Sequence, residues 1–258
     1  MTNWILFTGQ LRLIKENISS ILNHNSNKIN TKYVFVLWDT TPVKQIEYLK
    51  KSLPKAQIYM INEFSISKKI KKDLKIPNIV ENWIRQFFVI NKAYDILKDH
   101  LGEKDLIVRS RTDLLVNNFE FSLEYEDIKV PGVKFGIGFT DYFAVMNKKA
   151  FKLYANTFNI MKNNYYEGRF LPPEVNLGIA LFDYRVRIKT DETLPRILIK
   201  SLGDKLKYRT SYKNENSQYY MHSIFSLSIN SPKPRVISRI FKRIYNIIKD
   251  YFHRIAFV

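Results

Sequence analysis

The densest concentration of reactive side chains follows directly on a short apolar run. Leu106-Ile107-Val108 leads into Arg109-Ser110-Arg111-Thr112-Asp113. In an extended segment alternate residues share a face, so 109, 111 and 113 are expected to converge on one side of a strand end. A guanidinium is a planar fork that matches phosphate oxygens. A carboxylate beside it can ligate Mg2+ or Mn2+, or accept from a sugar hydroxyl. The same trio also reads as an ion-paired strand terminus in which Asp113 neutralises an Arg. Two cations and one acid on a single face favour the anion-binding reading.

The elements that must position this trio alternate between strand and helix. Trp4 to Phe7 is a buried-strand run closed by Thr8-Gly9, and apolar residues at 11, 14, 18, 21 and 22 predict a helix over Leu11 to Asn23. Tyr33 to Trp38 is a second strand, Val43 to Leu53 a helix stopped by Pro54, and Gln57 to Ile61 a third strand. Ile66 to Leu74 reads as a Lys-rich exposed helix or loop. Asn82 to Leu101 is the clearest helix, with apolar positions 83, 87, 90, 94 and 97 and Gly102 as its stop. Leu106 to Val108 is the fourth strand. Such alternation implies a mostly parallel α/β sheet, whose ligands sit beyond the carboxyl ends of the strands. Three places qualify: Thr8-Gly9-Gln10, Trp38-Asp39 and 109–113.

The second half is less regular. Pro131, Gly132, Gly136 and Gly138 make 129–139 loop-rich. Asp141 to Met146 reads as strand, Lys148 to Met161 and Val175 to Leu181 as helix, and Val186 to Lys189 as strand. Asn230-Ser231-Pro232-Lys233-Pro234 is the best linker. Beyond it, Ile237, Ile240, Phe241, Ile244, Ile248, Tyr251, Phe252 and Ile255 form a helical apolar stripe flanked by Arg239, Lys242, Arg243, Lys249 and Arg254. A basic amphipathic helix of this kind suits an anionic bilayer surface, and equally could dock on the protein's own core.

Composition narrows the classes. The chain has 258 residues, 45% hydrophobic and 14% aromatic, which suits a globular domain with a sizeable core. Lys and Arg number 42 against 24 Asp and Glu, a net charge of +18. Nucleic acid, an anionic membrane, an anionic substrate or solvated lysine-rich faces would each account for that excess. The absence of Cys removes disulfides, thiol nucleophiles and Cys-ligated zinc. No signal core and no apolar run near the ~20 residues of a bilayer span is present, so a cytosolic protein with at most peripheral membrane contact is expected. There is no G-x-G-x-x-G after the first strand, no P-loop, no H-E-x-x-H and no G-x-S-x-G.

The order of these pieces resembles the GT-A glycosyltransferase fold, in particular the WavE-like families linked to lipopolysaccharide or capsule synthesis. The resemblance spans roughly residues 4 to 190. It is carried by Phe7-Thr8-Gly9-Gln10-Leu11-Arg12, Leu37-Trp38-Asp39, Gln86 on the long helix, 109–114, Asp141-Tyr142-Phe143-Ala144 and Pro173-Glu174. It implies a GT-A-like, Rossmann-like, mostly parallel sheet flanked by helices over 1–229. Within it, 1–113 would form the nucleotide-sugar half and 114–229 the acceptor half, and 230–258 would follow as a basic membrane-associating helix.

It implies, further, that Thr8, Gly9, Gln10, Arg12, Trp38, Asp39, Gln86, Arg109, Arg111 and Asp113 bind a nucleotide-sugar donor. Asp113 takes the last place of an Asp-x-Asp metal motif in which Arg111 stands where the first Asp would be. Mn2+ or Mg2+ and a metal-free site both remain open, the guanidiniums offsetting the diphosphate in the second case. His222 is a further candidate for a metal or phosphate contact, although a lone His is more often structural. Direct displacement needs a base for the acceptor hydroxyl, and Asp141 and Glu174 are the candidates. A turn residue and a favourable charge at a helix N-terminus are their plainer readings. The implied partners are the donor, a glycan or lipid-linked glycan acceptor and the inner face of the cytoplasmic membrane, with no nucleic acid expected. A basic nucleic-acid-binding protein and a non-catalytic member of the fold are the alternatives.

Overall fold

Apolar runs without polar interruption become strands covered on both faces, and three such runs form the centre of this protein. The computed structural model describes residues 1–22, 30–65, 72, 78–116, 122–134, 138–182, 186–191, 194, 197–202 and 205–210. Strand β1 (Asn3–Gly9) is buried almost throughout, as are β4 (Leu106–Ser110) and the second half of β2 (Thr31–Trp38). Near-continuous burial is the mark of strands within a parallel sheet. With β3 (Gln57–Ile61) they form the parallel block β4-β1-β2-β3, in which Phe7 lies opposite Ser110 and Gly9 opposite Leu37.

Alternation then divides the side chains between two faces. Ile5 and Phe7 join Phe35 and Leu37 in one cluster with Ile14 and Ile21 of α1 (Ile14–Leu22) and Leu49 of α2 (Val43–Ser52). The Phe7 and Phe35 rings stack at 4.7 Å, and each such buried side chain contributes about 1.5–3 kcal/mol. Helix α3 (Asn78–Leu97) packs on β1 and β2 through a separate set, Val80, Ile84, Phe87, Ile90, Ala93 and Leu97.

Past β4 the sheet turns mixed. Strand β5 (Leu114–Leu115) leaves it to pair with β11 (Ile197–Leu202), itself hairpinned to β12 (Lys205–Thr210). Strand β9 (Ala144–Met146) inserts antiparallel between β4 and β6 (Ile128–Val130), and β10 (Ile188–Thr190) closes the edge parallel to β6. Strands β7 (Val133–Lys134) and β8 (Gly138–Phe139) form a small antiparallel pair. Helix α4 (Lys148–Tyr166) follows β9, and α5 (Pro173–Phe182) begins at a proline, whose missing N–H is not needed there. The 7-stranded order is β10-β6-β9-β4-β1-β2-β3, the GT-A-like arrangement of a mostly parallel sheet flanked by helices.

Several boundaries differ from the sequence reading. The long helix runs 78–97 rather than 82–101, and its buried stripe passes through Ile84 rather than Trp83. Helix α1 starts three residues later than expected, after Leu13 at φ 50. The strand expected over 141–146 covers only 144–146; β5, β11 and β12 were not expected, nor were β6, β7 and β8 in the stretch 129–139 read as loop-rich. Residues 66–71 and 73–74 of the Lys-rich stretch lie outside the described residues, as do His222 and the whole of 230–258.

The described strands belong to one compact unit, and residues 164–171 belong to a second. In that second unit the end of α4 is closed by Gly168 at φ 72. Its N–H donates to the Tyr165 carbonyl at 2.9 Å, and that of Arg169 donates to Asn164 at 2.7 Å. This is the paired reversal that glycine permits at a helix C-terminus. Among the described residues no helix is long and apolar enough to cross a membrane.

Candidate functional site

Parallel strands end at one edge of the sheet, and here that edge opens into a cavity of about 440 Å3. Thr8 and Gly9 reach it from the end of β1, Gln10 and Arg12 from the loop beyond, Trp38 from the end of β2 and Arg109 from β4. Gly9 has φ 92, a left-handed value that a side chain would strain, so glycine is required by the backbone rather than by crowding. The chain then makes a tight turn, the Arg12 N–H donating to the Gln10 carbonyl at 3.0 Å, which brings the Arg12 side chain to the cavity wall.

Arg109, Arg111 and Asp113 do meet, but not by simple alternation along a strand. Strand β4 extends through Ser110, so Arg109 is a strand residue, and 111–114 is a turn in which Leu114 N–H donates to the Arg111 carbonyl at 3.3 Å. All three line the cavity together with Thr112. Their environments differ. Arg111 forks onto Asp113, Nε to Oδ1 at 2.8 Å and Nη2 to Oδ2 at 2.7 Å. Burial opposes the Arg111 charge, but the hydrogen bonds and charge of Asp113 outweigh it and hold its pKa above the ordinary value. Arg12 Nη1 stands 4.0 Å from Asp113 Oδ2. Arg109 is 1% exposed, and its Nε and Nη1 have no hydrogen-bond partner. Burial lowers its pKa, against the opposing influence of Tyr154 and Asp141. A buried guanidinium with orphaned donors on a cavity wall is a costly arrangement that an entering anion would relieve.

The turn is held from behind by α1. Asn17 Nδ2 donates to the carbonyls of Thr112 at 2.7 Å and Leu114 at 2.9 Å, and the Val116 N–H donates to Ser20 Oγ at 2.6 Å. Both side chains are buried. These polar residues on the inner face of an otherwise apolar helix fix the segment that carries Arg111 and Asp113. The sequence signal for them was a polar interruption of the 14, 18, 21 stripe.

The opposite wall is a face of α3. Asn82, Trp83, Gln86 and Val89 recur at helical spacing and line the cavity with Arg85. Of these only Gln86 was expected from the sequence; its neighbours three and four residues away were legible from the same periodicity. Trp38 stacks with Phe88 at 6.1 Å, and the Arg85 guanidinium lies 5.6 Å from the Trp38 ring while pairing with Glu63. Asp39, the other residue expected at this strand end, is exposed and is not part of the cavity wall.

Gln86 links the cavity to the two expected bases. Its Nε2 donates to Asp141 Oδ2 at 2.5 Å, and the Tyr154 hydroxyl donates to the Asp141 carbonyl at 2.9 Å. Glu174 lies further back, at the start of α5, paired with Lys134 at 3.1 Å. Burial, and then the charge of Asp141, push the Glu174 carboxyl above its ordinary value against the pull of Lys134. Gly138 makes this packing feasible: a Cβ there would sit 2.7 Å from the Glu174 carbonyl carbon. Neither acid lines the cavity itself.

The resemblance offers Asp113 to a divalent cation, and the donor set does not fit one. Among the described residues Asp113 is the single carboxylate on the cavity wall, and both of its oxygens accept from Arg111. Among the described residues no group of three or more His, Cys, Asp or Glu could hold a metal ion.

No family model and no curated protein matches the chain. Solved structures match it in fold. The mannosyltransferase Ktr4p from S. cerevisiae superimposes with a TM-score of 0.50 at 10% identity, over 70% of this chain and 65% of that one. The glycosyltransferase GlyE of Streptococcus pneumoniae TIGR4 gives 0.44 at 12% identity, over 74% and 46%. The mannosyltransferase PcManGT from Pyrobaculum calidifontis, in complex with GDP-Man and Mn2+, gives 0.41 at 10% identity, over 73% and 54%. The chain thus spans just under half of GlyE and just under two thirds of Ktr4p. The class these observations define is a GT-A-like fold with a cationic cavity at the carboxyl edge of its sheet.

Proposed function

We propose that the chain is a glycosyltransferase that binds a nucleotide-activated sugar in this cavity and transfers the sugar to a glycan acceptor. The observation that carries the reading is Arg109, a buried cation with two orphaned nitrogens on the wall of a cavity of about 440 Å3 at the carboxyl edge of the sheet. Anionic phosphates are the chemistry that such a group, flanked by Arg111 and Arg12, recognises. The polar and aromatic face of α3, with Trp83, Asn82 and Gln86, is suited to the nucleoside or sugar portion.

In a direct displacement the acceptor oxygen bonds to the anomeric carbon as the bond to the diphosphate oxygen breaks. The electron pair leaves with the diphosphate, where the guanidiniums stabilise the growing charge. The acceptor proton goes to a base, and Asp141 is the better placed of the two expected acids, because it is hydrogen-bonded to a cavity residue. Glu174 is tied to Lys134 and stands further from the cavity.

The acceptor we propose is a growing surface glycan of the lipopolysaccharide, O-antigen or capsule type, met by a protein peripheral to the inner face of the cytoplasmic membrane. The WavE-like order of motifs and the basic apolar-striped segment 235–258 support that reading. The test is a thermal-shift and turnover screen of the full chain against nucleotide-sugars. Stabilisation by one nucleotide class with release of its sugar supports the proposal. Binding without turnover on any acceptor points to the non-catalytic alternative, and the absence of nucleotide binding overturns the reading.

A further inference from the structure

We propose that this site binds its nucleoside diphosphate without a bridging divalent cation: Arg109 and Arg12 meet the phosphate charge, and Asp113 serves as the partner of Arg111 rather than as a metal ligand. The inference rests on the donor reading above and deepens it.

Charge is the first argument. Among the described residues four guanidiniums line the cavity, those of Arg12, Arg85, Arg109 and Arg111, against the one carboxylate of Asp113. Glu63, outside the wall, pairs with Arg85. Asp141, also outside the wall, acts on both Arg109 and Arg111, so four cations against three acids leave one positive charge. A diphosphate linking nucleoside and sugar carries about one negative charge per phosphate. The cavity thus supplies part of that countercharge before any metal enters, and a divalent cation would have to stand among four guanidiniums. Like charges about 4 Å apart repel by roughly 4 kcal/mol even at an intermediate effective dielectric.

Coordination is the second. Magnesium and manganese require oxygen ligands. The Asp113 oxygens are engaged by a bidentate fork at 2.8 and 2.7 Å. Recruiting them to a metal would strand the Arg111 guanidinium, which is only about one quarter exposed (24%), without its partner. Asn17 holds the turn behind them through the carbonyls of Thr112 and Leu114, so the fork is braced rather than free to swing open.

The third is the orphaned pair of nitrogens on Arg109. Direct phosphate contact satisfies a guanidinium, whereas a cation placed between the two would leave it as it stands.

The two models predict opposite signs for one substitution, which makes the test sharp. Binding of UDP, GDP, ADP and TDP to the full chain is measured by titration calorimetry, once in EDTA and once in excess Mn2+, for the wild type and for Asp113→Asn. Free of a metal, the best nucleotide binds with affinities equal to within about twofold in the two buffers. Asp113→Asn removes a negative charge from the cavity and loosens Arg111, so it binds the same nucleotide about threefold or more tightly. Binding that appears only with Mn2+, or that weakens in Asp113→Asn, overturns the inference and leaves the donor reading standing. No binding of any nucleotide in either buffer overturns the donor reading and this inference with it. Should Asp113→Asn not fold, the comparison of EDTA with Mn2+ on the wild type decides alone.

Discussion

Two buried charged clusters sit on the same sheet, one at its β10 edge and one at the end of its central strand β4, and they are built on different logic. At the β6–β10 edge, Asp127 is satisfied on every side. It accepts from Asn147 Nδ2 at 2.9 Å, from the Arg187 N–H at 3.1 Å and from the Arg187 side chain at 3.3 Å. At the carboxyl edge of β4, Arg109 is equally buried and keeps two nitrogens without partners. Burial of charge does not separate structure from function. What separates them is whether the protein supplies the countercharge itself. The first cluster clamps an edge strand, and the second, under the proposed function, would be completed by a ligand.

Arg109→Met breaks the comparison most directly. It removes an uncompensated buried cation while keeping most of the side-chain volume, so nucleotide-sugar affinity falls about 100-fold or more while stability rises by about 1–2 kcal/mol. Calorimetry and urea denaturation on the same preparation read both. A variant that loses stability and keeps affinity would place Arg109 with the structural cluster.

Asp127→Asn is the mirror experiment. It costs about 1–3 kcal/mol at neutral pH and leaves donor affinity unchanged. The pH dependence has a definite sign. Burial alone would raise the Asp127 pKa, but the Arg187 and Asn147 hydrogen bonds bring it below the ordinary 3.8. Its contribution is therefore present above that value and fades as pH falls through the lower folded value. Urea midpoints of wild type and variant converge in acid; a gap that persists there contradicts the assignment.

Asn17→Ala tests the brace behind the turn. It leaves the Thr112 carbonyl without its side-chain donor and the Leu114 carbonyl with only the longer bond from Ser20 Oγ at 3.4 Å, at a cost of about 1–2 kcal/mol. Because the turn carries Arg111 and Asp113, donor affinity falls by a smaller factor, about threefold to tenfold. Calorimetry of the folded variant checks this, and unchanged affinity would show that α1 stabilises the turn without tuning the site.

Much of the site was legible in the chain because strand ends announce themselves. Thr8-Gly9-Gln10, Trp38 and Arg109–Asp113 each follow an apolar run, and in a parallel sheet all such ends fall on one edge. The α3 face was half legible: Gln86 was found, but Trp83 was assigned to the core, since an apolar residue one position off the buried stripe looks the same as one within it. The β11–β12 pair escaped although Gly203-Asp204 separates an apolar run, Ile197-Leu198-Ile199, from an alternating one over 205–210, a hairpin signal at the sequence level.

The alternation of strands and helices up to β4, the sheet edge at which the strands end and the pair Arg109 and Arg111 there were settled by local sequence, since apolar periodicity and the parallel connection rule act over short stretches of chain. Which Arg is paired and which is left open was decided only by the fold. Asp113 reaches Arg111 through a turn braced by a helix nearly a hundred residues away in sequence, and Asp141 meets Gln86 across 55 positions. Hydrogen-bond partnership depends on distances of a few tenths of an ångström between groups remote along the chain, and no local pattern of residue types contains that information.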